Sequence, residues 1–134
     1  MQTVTGNRVG DVLDVSEVET SLTPTQVLEL QRMAAHIRVD TAVNHYAVGL
    51  VRATRSWPGI RVGAGPRGAI ALIRASRAAA LIAGRDFVTP DDIKEVAIPV
   101  LRHRMMLAPE LELEGQTPDL VLNAVLEQVV VPRQ

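Results

Sequence analysis

The six residues GAGPRG, Gly63 to Gly68, match the dinucleotide-binding pattern G-x-G-x-x-G and decide between two folds. In a Rossmann fold this pattern joins a buried strand to a helix, and the loop holds a pyrophosphate. Here only Ile60 to Val62 could form the preceding strand, and Pro66 removes one backbone N–H from the loop. No second long apolar strand follows, so we interpret the stretch as the start of a helix rather than as part of a parallel sheet.

The same stretch has the features of a candidate phosphate site. Gly65 takes the cap position of the helix, Pro66 the first helical position and Arg67 the next one. A helix N-terminus carries about half a positive charge and free N–H groups, to which Arg67 adds a guanidinium. The alternative is a turn whose glycines serve only the backbone conformation, and the residues alone leave both interpretations open.

Helix starts and stops recur along the rest of the chain. Three Thr-Pro pairs are typical of helix starts, because Thr caps the first free N–H groups and Pro fits the first helical position. Asp40 is a further cap and Gly84 a stop signal. With the apolar spacing, these signals predict helices at 24–37, 41–56, 66–83, 90–103 (kinked at Pro99) and 118–129, and short extended pieces at 85–88, 104–107 and 111–114.

The composition agrees with a helical fold. Apolar residues make up 47% of the 134 residues, with one Phe, one Trp and one Tyr, so the core must be aliphatic. We therefore predict an all-α or nearly all-α domain, a small bundle of about five helices with minor short β pieces. Residues 1–21 are interpreted as a lead-in segment and residues 22–134 as the helical domain.

Several functional classes are disfavoured by what the sequence lacks. Without cysteine it has no disulfide framework and no thiolate metal site, and its three histidines lack the spacing of a helical metal pair, so we predict no metal site. We see no secretory signal and no apolar run of about 20 residues, so a cytoplasmic domain is expected. The only lysine, Lys94, has no glycine-rich loop before it, so both the Walker A lysine and an Asp-Glu magnesium site are missing.

Charge is unevenly distributed although the net charge is only −1. From Thr41 to Arg85 there is no acidic residue, yet this zone contains seven arginines: Arg52, Arg55, Arg61, Arg67, Arg74, Arg77 and Arg85. Such a zone is either a solvated face or a cationic surface. An alternative function is therefore a non-enzymatic helical module that binds an acidic partner or a nucleic acid backbone through this zone.

The run from Gly63 to Leu107 resembles the C-terminal lid domain of MoxR-type AAA+ ATPases. In that family a Gly-Ala-Ser-Pro-Arg segment opens a helix and is followed by Gly-Arg-Asp-Tyr-Val-x-Pro-Asp-Asp-Val and then by Val-Leu-x-His-Arg. The matching segments here are Gly63 to Arg67, Gly84 to Ile93 and Val100 to Arg104. The similarity extends over about residues 22 to 133. One departure is Gly65, where the family usually has Ser, a change that costs only about a few tenths of a kcal/mol at a cap.

The resemblance implies a small helical domain that follows a nucleotide-binding core. It implies that Arg67 is the sensor 2 arginine, which reaches the γ-phosphate of ATP, while the core binds magnesium. The partners implied are the AAA+ core of the same chain and further copies in a hexamer. A core with Walker motifs is not present in these residues, so the 134 residues alone are expected to be inactive as an ATPase. The resemblance further implies that the parent ATPase remodels or activates partner proteins.

Overall fold

Six α-helices and two short strands make up the regular structure of the residues that the computed structural model describes, 15–16 and 18–132. The helices are α1 (Pro24–His36), α2 (Thr41–Ser56), α3 (Pro66–Ile82), α4 (Pro90–Leu101), α5 (Pro109–Leu113) and α6 (Pro118–Gln128). The strands are β1 (Ile60–Val62) and β2 (Met106–Leu107), and a 3₁₀ helix spans Arg102–Arg104. The mainly helical fold predicted from the sequence is confirmed. Most of the predicted lead-in segment, residues 1–14 and 17, lies outside the described residues.

The chain divides into two compact units, Met1–Gln31 and Arg32–Gln134. Every described residue of the first unit is exposed, including Val27 and Leu30 on α1. The core lies in the second unit among α2, α3, α4 and α6, and its largest fully buried side chains are aliphatic: Leu50, Leu72, Ile93, Leu101, Leu122 and Val125. The boundary predicted between residues 21 and 22 stays a prediction.

Side chains cap the starts of α1, α2, α4 and α6, as the sequence predicted. Thr23, Asp40, Thr89 and Thr117 each accept a hydrogen bond from a backbone N–H two or three residues later, at distances of 2.8–3.3 Å. Each such bond satisfies one of the donors that a helix start leaves free. Helix α3 begins differently, because its cap residue is Gly65 and has no side chain to accept such a bond.

The two strands form a small antiparallel sheet in which Ile60 lies opposite Leu107 and Val62 opposite Met106. Of the extended pieces predicted, 104–107 is partly confirmed by β2, and 85–88 forms a single parallel bridge between Phe87 and Arg38. The strand predicted at 111–114 is wrong, because Pro109 occupies the first position of helix α5, which reaches Leu113.

Helix α4 ends two residues earlier than predicted, and Pro99 does not divide it. The helix runs without interruption from Pro90 to Leu101, and the next turn, Arg102–Arg104, is a 3₁₀ helix. The 3₁₀ turn and the following extended residue Met105 direct the chain into β2. The end of α4 therefore lies where the chain turns toward the small sheet beside α2.

A partly buried ion pair connects the loop after α3 to the start of α4. The Arg85 guanidinium donates to both carboxylate oxygens of Asp92, at 2.8 and 2.5 Å, and Asp92 is only 4% exposed. The Thr89 N–H and hydroxyl donate to the same carboxylate, at 2.7 and 2.9 Å. The Arg85 hydrogen bond, with help from Thr89, holds the pKa of Asp92 below its ordinary value.

Asp92→Asn is expected to lower the free energy of unfolding at pH 7 by about 2 kcal/mol, since it removes the charge from these hydrogen bonds. The pKa of Asp92 is lower in the folded state than its unfolded value of about 3.9. The charged carboxylate therefore stabilises the fold fully when the pH is above about 3.9. The stabilisation disappears as pH falls through the folded-state pKa, so the two proteins should converge in acid. Urea unfolding of both proteins across this pH range measures the difference.

Asp91→Asn is the matched control, because the Asp91 side chain is 89% exposed and pairs only with Lys94 at 3.5 Å. It should change the unfolding free energy by less than about 0.5 kcal/mol. Equal effects of the two substitutions at pH 7 would contradict the role given to the Arg85–Asp92 pair.

Candidate functional site

The loop that leads into α3 passes in direct contact with the C-terminal end of α2. A Cβ atom added at Gly63 would lie 2.6 Å from the Thr54 carbonyl oxygen and 2.6 Å from the Arg55 Cα. Such distances are too short for any side chain, so glycine alone permits the close approach. The first residue of the GAGPRG stretch thus serves the packing of one backbone against another.

The next residue, Ala64, is completely buried and is bound by the Thr54 side chain. The Ala64 N–H donates to the Thr54 Oγ1 at 3.0 Å, and the Thr54 hydroxyl itself donates to the Val51 carbonyl oxygen at 2.7 Å. Thr54 is also fully buried, with 0% of its surface exposed. Since a buried N–H without a partner is costly, this hydroxyl is the group that allows Ala64 to enter the core.

The first turn of α3 packs closely on α2 and α4. A Cβ atom at Gly68 would lie 3.2 Å from the Leu101 Cδ2 and 3.5 Å from the Val51 Cγ2. Gly68 also donates its N–H to the Gly65 carbonyl oxygen at 2.8 Å. The start of α3 is therefore packed at two points. Gly63 and Ala64, before Gly65, contact α2, and Gly68, after Arg67, contacts α2 and α4.

The three predicted site residues, Gly65, Pro66 and Arg67, lie between these packed positions and are exposed. Gly65 is the cap of α3 with extended backbone angles (φ −89°, ψ −179°), Pro66 is the first helical residue, and Arg67 follows it. Within the part of the chain that the structure describes, no side chain forms a hydrogen bond or ion pair with Arg67. A free guanidinium thus stands beside a helix start that has no side-chain cap.

The electrostatics of this helix start differ from those of α4 and α6. The first turn of α4 contains Asp91 and Asp92, and that of α6 contains Asp119, whereas the first turn of α3 has no acidic residue. Negative side chains offset the partial positive charge of a helix N-terminus, so this charge is not offset at α3. Together with Arg67 it can attract an oxyanion, which is the chemistry expected of a phosphate-contacting site.

The other arginines of the acid-free zone have varied environments. Arg74 is exposed two turns beyond Arg67, the Arg61 guanidinium lies 2.7 Å from the Met106 sulfur, the Arg77 Nε is buried, and Arg85 is paired with Asp92. Arg52 and Arg55 are exposed as well, so the arginines of the zone do not share one environment. The alternative function, binding of an acidic partner or a nucleic acid backbone, stays a prediction.

Other kinds of site find no support in the described residues, 15–16 and 18–132. Strand β1 is three residues long and pairs antiparallel with β2, so the parallel sheet that a dinucleotide-binding fold requires is not formed there. No group of three or more His, Asp or Glu side chains in this part of the chain could hold a metal ion. None of the helices described is long and apolar enough to cross a membrane.

Sequence reasoning identified Gly65, Pro66 and Arg67 but missed the part played by Thr54. A signal was available in the spacing. Thr54 lies four residues after Leu50, on the face of α2 that also carries the apolar residues Val43 and Ala47. A hydroxyl on the buried face of a helix requires a partner. The identity of that partner, a backbone group ten residues later, could come only from the structure.

The chain is similar to a known domain family and to several known proteins, among them MoxR proteins. The family model of the AAA lid domain matches residues 52–125. The uncharacterized protein YeaC of Bacillus subtilis is 38% identical over 132 residues, covering 91% of this chain and 41% of its own length. The chaperone MoxR1 of Mycobacterium tuberculosis is 37% identical over 123 residues, covering 84% of this chain and 32% of its own.

The similarity extends to the three-dimensional fold of a solved structure. The crystal structure of a presumed ATPase from Cytophaga hutchinsonii superposes with a TM-score of 0.78 at 33% identity, over 81% of this chain and 36% of that one. The chain thus spans about a third to two fifths of the length of these relatives. With the family model matching more than half of its residues, the chain belongs to the AAA lid domain family and is a lid domain of the MoxR-type AAA+ ATPases.

Proposed function

We propose that this chain acts as the sensor 2 lid of a MoxR-like AAA+ ATPase, in which Arg67 contacts the γ-phosphate of ATP. The observation that carries the proposal is the start of α3, where an exposed arginine, unpaired among the described residues, follows a helix N-terminus without a side-chain cap. A triphosphate supplies the oxyanion that such a site favours, because the guanidinium and the helix end both donate to phosphate oxygens. The nucleotide would be held by an AAA+ core domain, which would also bind its magnesium ion.

The lid couples the nucleotide state to the rest of the ATPase. Gly63, Ala64 and Gly68, on both sides of Arg67, pack closely on α2 and α4. A phosphate contact made by Arg67 would therefore act on the packed helices and not on the loop alone. Charge redistributes on the phosphate oxygens during hydrolysis, and the contact changes with it. In the proposed enzyme this change drives the remodelling or activation of partner proteins by a homo-oligomer, for which we propose a hexamer. The cytoplasmic location expected from the sequence stays a prediction.

The 134-residue chain alone is expected to show no ATP hydrolysis above the buffer rate. It contains no Walker A lysine and no Asp-Glu pair after an apolar strand, so it lacks the Walker groups that bind the phosphates and magnesium in such ATPases. Its affinity for ATP should be weak, since one arginine and a helix end replace a complete binding site. Release of phosphate by the purified chain with ATP and magnesium is the measurement. Magnesium-dependent turnover by the chain would contradict the proposal.

The residue-level test uses the intact ATPase that carries this lid. Steady-state hydrolysis with Arg67 replaced by alanine, compared with the unmodified enzyme, reports whether the arginine acts on the reacting phosphate. An unchanged rate would overturn the proposed role of the site, whereas a lower kcat with the lid still folded supports it.

A further inference from the structure

We propose that Thr54 is the positioning residue for Arg67, an inference that rests on the proposed function of Arg67. The Thr54 hydroxyl is fully buried on the last turns of α2, and the Ala64 N–H donates to it at 3.0 Å. Arg67 follows Ala64 by three residues, separated from it only by Gly65 and Pro66. Among the described residues, the bond from Thr54 is thus the last side-chain hydrogen bond to the backbone before the arginine.

The position of the Arg67 guanidinium depends on its backbone, because no side chain in the described residues holds it in place. Gly65 provides no side-chain cap hydrogen bond, and apart from its own neighbours in the chain no described residue has an atom within 4 Å of where a Cβ would lie. The proline ring of Pro66 fixes one of its two backbone angles. The direction in which Arg67 leaves the helix start is therefore set by Ala64 on one side and by the packed Gly68 on the other.

The Thr54 hydroxyl has a second bond that fixes its own orientation. It donates to the Val51 carbonyl oxygen at 2.7 Å, so a lone pair remains directed at the Ala64 N–H. Valine has the same shape as threonine but cannot accept this hydrogen bond. In Thr54→Val the Ala64 N–H would be buried without a partner, and the loop would have to move to recover one. Misplacing a catalytic group by about 1 Å costs up to about a hundredfold in rate.

The first experiment uses the 134-residue chain and does not depend on ATP hydrolysis. Amide hydrogen exchange at Ala64 should become at least about tenfold faster in Thr54→Val and stay near the unmodified rate in Thr54→Ser, which keeps the hydroxyl. Ser76→Ala is the matched control, because Ser76 is also fully buried but its hydroxyl donates only to the Leu72 carbonyl oxygen of its own helix, at 2.8 Å. Unchanged exchange at Ala64 in Thr54→Val would overturn the structural part of the proposal.

The second experiment uses the intact ATPase. Thr54→Val is expected to lower kcat by between about tenfold and a hundredfold, with KM for ATP near its original value, and Thr54→Ser is expected to restore the rate. Ser76→Ala should leave kcat unchanged. If the valine variant does not fold, Thr54→Ala provides the same comparison, because it also removes the acceptor.

A double substitution separates this inference from the proposed function. If Thr54 acts through Arg67, the protein with both Thr54→Val and Arg67→Ala should hydrolyse ATP no more slowly than Arg67→Ala alone. Rates that fall by the product of the two single effects would show that Thr54 acts by another route. A normal rate in Arg67→Ala would contradict the proposed function itself, whereas a slow Arg67→Ala with a normal Thr54→Val would contradict only the role of Thr54.

Discussion

Arg67→Ala is expected to lower kcat for ATP hydrolysis by the intact ATPase about 10²- to 10³-fold, with a smaller effect on ATP binding. The guanidinium adds a full charge and a fork of donors to the half charge of the helix end. Both are fixed in place before the reaction, so they stabilise charge that develops on the phosphate oxygens. The isolated chain should remain folded, because Arg67 is exposed and forms no side-chain hydrogen bond or ion pair with the described residues. Phosphate release and thermal unfolding measure the two effects separately.

Arg74→Ala is the control for Arg67→Ala. Arg74 lies on the same side of α3, two turns further from the helix start, and is also exposed. It has the same charge but not the same position, so its removal should have a milder effect on kcat. Equal losses of rate in the two variants would indicate a general electrostatic effect rather than a phosphate contact by Arg67.

Gly63→Ala is expected to lower the free energy of unfolding by about 3 kcal/mol, the upper end of the usual range for overpacking. The added methyl group would meet the Thr54 carbonyl oxygen and the Arg55 Cα, both at 2.6 Å. These are backbone atoms of a helix, which cannot rotate away as the tip of a long side chain would. Chemical denaturation of the purified chain measures the loss.

Gly65→Ala, two residues further on, is the matched control for Gly63→Ala. Among the described residues, apart from its chain neighbours, no atom lies within 4 Å of a Cβ at Gly65, and its φ of −89° is accessible to alanine. Alanine is a poorer cap than glycine but loses less chain entropy on folding, and these two small effects oppose each other. We therefore expect a change within about 0.5 kcal/mol. A large loss at Gly65, or none at Gly63, would contradict the packing described for this loop.

The helical fold was predictable because its signals are local. Thr23, Asp40, Thr89 and Thr117 each mark a helix start through a bond to a backbone group at most three residues away. The mistaken strand at 111–114 has a local explanation too. The alternating pattern LELE indicated a strand. Pro109 at the first helical position, followed by Glu110 and Glu112 in the first turn, favours a short helix instead.

The candidate site was only partly predictable, because its support comes from distant parts of the chain. Arg67 is recognisable from the Gly-Pro-Arg sequence at a helix start. The bond from Ala64 to Thr54 and the packing of Gly68 on Leu101 join residues that are ten and 33 positions apart. No periodicity in the sequence specifies which residues meet at such distances, so these contacts required the structure.

The length of α3 has a mechanical consequence for the proposed lid. The helix has 17 residues and therefore extends about 25 Å from the Arg67 end to Ile82. In the proposed lid, a rotation of the packed helices together by about 10° about the phosphate contact would carry the far end of α3 through about 4 Å. Ile82, with 87% of its surface exposed, stands at this far end. A small rotation at the phosphate would thus become, at Ile82, a displacement as large as the width of a side chain.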